Sequence, residues 1–530
     1  MALGRALAVS VLGLQGHLVE VEADIATGLP AFGVVGLPDV SLNESRDRVR
    51  AASANSGHPL PLRRITVNLS PAALPKAGTG FDLPIATALL IAAGVIPADT
   101  AGRFVQIGEL SLDGRVRPVR GVLPAVLAAA AGGHPDVVVP AENAQEAELV
   151  SGARVWPART LSDVIALLGG SALDSAELPA SGSPGPSGSS DGEPDAAVLS
   201  INTRRRATPA DLAEVIGQHE GRHALEVAAA GGHHLLLVGP PGAGKTLLAE
   251  RLPTLLPDLS QDQAVEVTAV HSLAGTLDPA SGLMFRPPFE NPHHSSTMVS
   301  LVGGGSGHGI PHPGVASRAH RGVLFLDEAA EFGSRVLDSL REPMEHGELI
   351  IHRAGGTARF PARFQLVMAT NPCPCGMSYG TGLLCTCSAQ VRRRYLGRLS
   401  GPLLDRVDLQ VEVMPVSRSD LAGESAPESS ATVAARVARS RNAQRERLSG
   451  TPWRLNGEVP GGWLRGALRL PKSVTRPVDG ALDRGALSIR GYDRVLRIAW
   501  TLADLAGLGR PGETEVGQAL TLRQRGQAAA

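Results

Sequence analysis

Cysteine and lysine are scarce in this chain, long apolar runs are missing, and no excess of either charge is present. Only three of the fifty basic residues are lysines, Lys76, Lys245 and Lys472. Where arginine is so strongly preferred, a retained lysine points to a place that arginine would not serve, although compositional drift produces the same bias. The four cysteines all fall between Cys373 and Cys387, which excludes a scattered disulfide framework. A formal net charge of −1 argues against a protein that coats a polyanion along its whole surface, while a local basic channel would not show in the sum. No apolar run approaches the roughly 18 residues of a membrane span. The start, Met1 to Arg5, leads into a short apolar stretch interrupted by Gln15 and His17, with no signal-peptide cleavage region, so a cytoplasmic location with no membrane association is expected.

What is present is enough sequence for two or three folded units, since 530 residues exceed one ordinary core. From Ser171 to Ala197, Ser, Gly, Pro, Asp and Glu replace nearly all large apolar residues, and such a stretch cannot bury enough surface to order itself. The expected organisation is an N-terminal α/β domain over 1–170, a flexible linker over 171–197, an α/β core with a parallel sheet over 198–415 and a helical lid over 416–530. In the first region, Ile65–Leu69 and Val137–Val139 read as strands, and Leu83–Ala93 and Leu123–Ala131 as helices. In the last, Ala434–Leu448 and Tyr492–Leu505 carry helical periodicity. There is no tandem repeat.

The most specific chemistry lies in the middle. His234–Val238 is a short apolar run expected to form a buried strand. It is followed at once by Gly239, Pro240, Pro241, Gly242, Ala243, Gly244, Lys245 and Thr246, and then by a helix expected to last from Leu247 to Leu252, ending at Pro253. This is the complete phosphate-binding P-loop in its strand–loop–helix setting. Its backbone N–H groups converge on phosphate oxygens and the helix N-terminus adds partial positive charge. Lys245 would reach the β- and γ-phosphates of ATP, and the Thr246 hydroxyl would ligate magnesium. Farther on, Gly322–Leu326 is a strand ending in Asp327 and Glu328. There Asp327 supports magnesium, and Glu328 orients the attacking water. A third strand, Gln365–Ala369, runs into Thr370 and Asn371, the sensor candidate. Arg406 closes a helix-like turn, and Ser488 precedes and caps a helix bearing Arg490, Arg494 and Arg497. The planar fork of arginine suits charge developing on a transferring phosphoryl group.

With these motifs in this order, the chain resembles an AAA+ ATPase, and Ile216-Gly217-Gln218 resembles the adenine-side segment of that superfamily. It is most similar to the magnesium-chelatase-like ATPases of the ComM/YifB group, through Phe289–His294, Leu301–Gly305, Asn371–Gly376, Ser400–Arg406 and Ser488–Arg494. The resemblance implies that Arg406 is a finger reaching a neighbouring subunit's site, that Arg490 is a second sensor, and that the protein forms a homo-hexamer. It also implies a motor on DNA, working in branch migration or helicase-like translocation during recombination or transformation. The N-terminal region resembles the proteolytic domain of Lon through Pro75–Gly80, Gly108–Arg115 and Val137–Asn143. Proteolysis there needs a serine activated by a lysine. Gly80 occupies the nucleophile position and Leu123-Pro124-Ala125 the lysine stretch. A domain that binds a protein partner without cleaving it is therefore expected, and Asp82 is not a substitute nucleophile.

Cys373, Cys375, Cys385 and Cys387 form two C-x-C pairs. Four thiolates from two turns suit structural zinc, although the within-pair spacing is tighter than usual, and unligated or redox-sensitive thiols are the alternative. Arg392, Arg393 and Arg394 offer phosphate contacts or merely a solvated helix face. The glycine-rich insert with His293, His294, His308, His312 and His320 lacks the i, i+4 pairing of a metal site and suits a mobile pore or DNA-contacting loop. Two other functions fit the same motifs: a magnesium-chelatase motor subunit, against which no D-x-S-x-S metal motif occurs, and an ATP-gated chaperone or scaffold.

Overall fold

A computed structural model describes residues 3–36, 40–72, 74, 76, 79–100, 102–170, 210–305, 311–353, 356–421 and 427–524. The linker expected over 171–197, together with Pro75 and His308, lies outside these residues. The chain divides into two compact units, Met1–Pro209 and Ala210–Ala530.

The first unit is built on a seven-stranded sheet. Its strands lie in the order Ala31–Val35, Arg64–Ser70, Gln15–Ala26, Gly4–Leu12, Val105–Gln106, Asp136–Pro140 and Arg154–Ala158. The two longest strands pair antiparallel, Gly4 opposite Ala23 through Leu12 opposite Gln15. The two residues between them include Gly13 at φ 64°, in the left-handed region that tight hairpins require. Strand alternation sends Ala6, Ala8, Val19, Val21, Ala23, Ile65, Val67 and Leu69 into one core. Asp82–Ala92 is apolar nearly all round, and ten of its residues are buried, as expected of a helix enclosed in a core. It matches the expected Leu83–Ala93, and Val122–Ala131 matches Leu123–Ala131.

The second unit contains a five-stranded, all-parallel sheet in the order Phe289–Glu290, Val323–Leu326, Gln365–Thr370, Leu235–Val238, Leu409–Glu412. Its central strands read as continuous apolar runs because both faces are covered. Leu235, Leu237, Phe325, Val367 and Ala369 face one core, whereas Leu236, Val238, Leu326, Leu366 and Met368 face the other. Val433, Val437, Val495, Ile498 and Ala499 pack into the first of these cores. The helices Ser430–Arg447 and Ile489–Leu505 therefore share a core with the sheet.

The end of the helix after the P-loop differs from the sequence expectation. The helix after the phosphate loop spans Lys245–Leu255 and includes Pro253. A proline in the last turn removes one helical hydrogen bond, and burial of Leu252 and Leu255 keeps that turn helical.

Candidate nucleotide site and cysteine cluster

In a parallel sheet, ligands bind beyond the carboxyl ends of the strands. Three of the central strands end side by side here. Val238 leads into the P-loop, Leu326 into Asp327 and Glu328, and Thr370 into Asn371. The P-loop turns through Gly242 at φ 75° and Gly244 at φ 91°, angles that cost glycine nothing. Gly244 is the cap from which the helix starts at Lys245.

A cavity of about 360 Å³ opens over these strand ends, lined by Gly242, Gly244, Lys245, Thr246, Asp327, Glu328 and Asn371 among others. Lys245 is buried, and its ammonium donates to Gly239 O at 2.7 Å, Pro240 O at 2.9 Å and Asn371 Oδ1 at 3.1 Å. Burial lowers its pKa, opposed by the negative charges of Asp327 and Glu328. The Thr246 hydroxyl donates to Asp327 Oδ2 at 2.8 Å, so a hydroxyl and a carboxylate face each other where a hard cation would be held through oxygen. Asp327 Oδ1 accepts the backbone N–H of Glu328 at 2.9 Å. Glu328 itself has φ 50°, an uncommon left-handed conformation for a non-glycine residue.

Two participants are not apparent from the motifs alone. His294 Nδ1 lies 3.2 Å from Glu328 Oε2, so the glycine-rich insert touches the second of the two acids at this strand end. Gln218, at φ 52°, donates to Ala243 O at 2.8 Å and Met414 O at 2.5 Å. It thereby joins the Ile216–Gln218 segment, the P-loop and the chain leaving strand Leu409–Glu412. The motif pattern contained Gln218 but not its bonding, and the contact of His294 has no signal in local spacing.

The arginines are placed differently. Arg406 is buried, donates to Pro402 O at 2.7 Å and pairs with Glu345, and it does not line the cavity of its own chain. Ser488 caps the helix Ile489–Leu505 by accepting the Gly491 N–H at 3.1 Å, and Arg490 is exposed on its first turn. Arg494 donates to Asp405 O at 2.7 Å and to Asp408 Oδ1 at 2.5 Å. Asp408 also accepts the His234 backbone N–H at 3.1 Å. Burial pushes Asp408 up, but Arg494 and the neighbouring histidines outweigh it and hold the carboxyl well below the usual range.

The sulfurs of Cys373, Cys375, Cys385 and Cys387 all lie within 4.8 Å of one another, which a metal ion could exploit. The histidines do not assemble among the described residues. The rings of His293 and His294 lie 4.1 Å apart and tilted by 34°, whereas His320 is buried 3.0 Å from Glu266. Arg393 and Arg394 are exposed on the helix Ala389–Leu396, and Arg392 donates to Ser378 Oγ at 3.1 Å.

In the first unit, Gly80 lies in a short helical turn and Leu123, Pro124 and Ala125 are buried in their helix. Asp82 is fully buried, accepts two bonds from Arg48 at 2.7 and 3.1 Å and one from Leu110 N–H at 3.2 Å. Burial pushes its pKa up to about 6 despite the guanidinium.

No helix among the described residues is long and apolar enough to cross a membrane. The family described as magnesium chelatase, subunit ChlI, matches residues 211–421, with its C-terminal region matching 427–523. The family described as subunit ChlI of Mg-chelatase matches residues 21–143. An uncharacterized protein of Mycobacterium tuberculosis is 52% identical over 99% of both chains. Competence protein ComM of Haemophilus influenzae is 40% identical over 97% of this chain and 96% of its own. YifB of Escherichia coli is 41% identical over 94% of this chain and 92% of its own.

Proposed function

The chain belongs to the magnesium-chelatase-like AAA+ proteins of the ComM/YifB group, and from that membership we propose that it is a ring-forming ATPase that does mechanical work on DNA. The observation that carries the ATPase reading is the convergence of Lys245, Thr246, Asp327, Glu328 and Asn371 on one cavity at the strand ends. In this reading Gly239 to Thr246 wrap the phosphates, Lys245 spans the β- and γ-groups, and Asn371 senses the γ-phosphate. Thr246 and Asp327 hold magnesium, which neutralises phosphate charge when bound. Glu328 orients water for attack on the γ-phosphorus. Arg406 is supplied to the site of a neighbouring subunit and Arg490 closes over the phosphates from the C-terminal helices, so a homo-hexamer is the working form.

The DNA assignment draws on the relative named for competence and on the exposed pair Arg393 and Arg394, whose guanidinium groups suit phosphate contacts. Branch migration or helicase-like translocation is the form of work proposed. The N-terminal unit is read as a partner-binding domain without peptidase chemistry, since glycine at position 80 offers no nucleophile and Asp82 is engaged by Arg48.

The test is ATP hydrolysis with and without single-stranded, forked and four-way-junction DNA, with Lys245→Ala as the blank. The proposal expects turnover that depends on Lys245 and rises with one of these DNAs. Turnover that no DNA stimulates, together with DNA binding indifferent to ATP, would remove the DNA motor and leave an ATPase with another substrate.

A further inference from the structure

We propose that Cys373, Cys375, Cys385 and Cys387 bind one zinc ion, and that the resulting knot braces the sensor segment against the P-loop. The sulfur geometry comes first. Cys373 and Cys375 are 3.3 Å apart, and Cys385 lies 3.7 Å from each of them. With a zinc–sulfur distance of about 2.3 Å, a tetrahedral ZnS₄ unit has sulfur–sulfur edges of about 3.8 Å. A disulfide holds its sulfurs at about 2.0 Å, and all four cysteines here are free. The tight C-x-C spacing is accommodated because the two turns face each other and contribute two sulfurs each. These are the only cysteines in 530 residues, and they converge on one point.

The surrounding groups suit a thiolate metal centre. Arg392, bonded to Ser378, places a positive charge beside a ZnS₄ unit that would carry a net negative one. Soft thiolates select zinc over the hard magnesium expected at Thr246 and Asp327.

The loop between the two pairs buries little apolar surface. Leu383 and Leu384 are 87% and 72% exposed, and Met377 is exposed as well. A segment that buries so little must draw its order from another source, and metal binding supplies folding free energy directly. That order matters because of position. Cys373 follows Asn371 by two residues, and Gly376 sits so close to the P-loop that an added Cβ would come within 2.4 Å of Pro241 Cδ. The bracing half of the proposal rests on the nucleotide reading of this loop, whereas the zinc half does not.

The experiment takes the full chain purified under reducing conditions, dialysed free of loose metal, and measures metals by mass spectrometry. One zinc per chain is expected, lost in Cys375→Ser/Cys387→Ser. A metal-free wild-type chain, or one holding iron or copper instead, overturns the proposal. A mercurial titration of the wild type gives a second reading that does not depend on how the variant folds, with zinc release expected in step with modification of four thiols. Thiols that react without releasing zinc overturn it. Binding of a fluorescent ATP analogue before and after zinc release then tests bracing, with a several-fold loss expected. Unchanged affinity overturns the bracing and leaves the zinc site. A chain that fails to bind the analogue even with zinc in place identifies a failure of the nucleotide reading instead.

Discussion

Lys245 uses all three of its ammonium protons on Gly239 O, Pro240 O and Asn371 Oδ1, in directions that a planar guanidinium cannot reproduce. That explains why a chain with so few lysines keeps one here. Lys245→Ala should lower turnover by about 10²-fold or more, and Lys245→Arg should fail to restore it, measured by phosphate release at saturating ATP. Glu328 lines the same cavity. Glu328→Gln should preserve nucleotide binding while lowering turnover about 10²–10⁴-fold, and equal loss of binding would show that Glu328 does not have the proposed role on water. His294 Nδ1 lies 3.2 Å from Glu328 Oε2, a contact that would compete with the water proposed to bind that acid. It is half exposed on both sides, so its worth is limited to about 0.2–1 kcal/mol. His294→Ala should therefore raise basal turnover by no more than about fivefold, and an unchanged or lower basal rate would show that His294 does not restrain Glu328.

At the scale of elements, the C-terminal helices are fastened to the sheet by charge as well as by apolar packing. Arg494 reaches Asp408 and Asp405 O, and Arg523 donates to the carbonyls of Val407 and Asp408. Removing one partner of a buried pair leaves the other uncompensated, so Arg494→Ala should destabilise this unit by about 3–5 kcal/mol in urea unfolding. His234, in the same cluster, is pushed down to about 4, chiefly by burial, and its Nδ1 accepts the Leu366 N–H at 2.9 Å, which favours the neutral ring. The unfolded chain titrates near 6.5, so between about pH 6.5 and 4 it binds a proton that the folded chain refuses. Stability should fall as pH drops through that window, by about 3 kcal/mol, with the slope reduced in His234→Gln. Asp408 adds no slope there, because its contribution is lost only as pH falls below the unfolded carboxylate value. The sequence foretold the strand–loop–helix of the P-loop, the strand before Asp327 and the Ser488 cap, since each is written in contiguous residues. It did not reveal that residues after 416 share a core with the sheet, or that Asp408 meets Arg494, because those contacts join segments distant in sequence. The bonds of Gln218 and the contact of His294 with Glu328 escaped for the same reason.

For the molecule as a whole, Arg406 decides whether the site is complete within one chain. It is buried against Glu345 and Pro402 O and does not line its own chain's cavity, which agrees with the proposed role at the γ-phosphate of another subunit. An arginine finger supplied in trans is worth about 10³–10⁵ in rate. Arg406→Ala should thus bind ATP normally and hydrolyse it hardly at all, and turnover of the wild type should rise more steeply than protein concentration as rings assemble. The two defects should also complement. A Lys245→Ala subunit has a dead site but offers its finger, whereas an Arg406→Ala subunit has a sound site but offers none. Mixed before assembly, the two inactive variants should regain part of the wild-type rate, because some interfaces pair a working P-loop with a working arginine. Arg406 also satisfies Glu345 at home, so Glu345→Gln serves as the structural control and should leave the mixing result intact. If the mixture stays as inactive as its parts while both variants assemble, Arg406 supports the fold of its own chain and the ring-completed site must be abandoned.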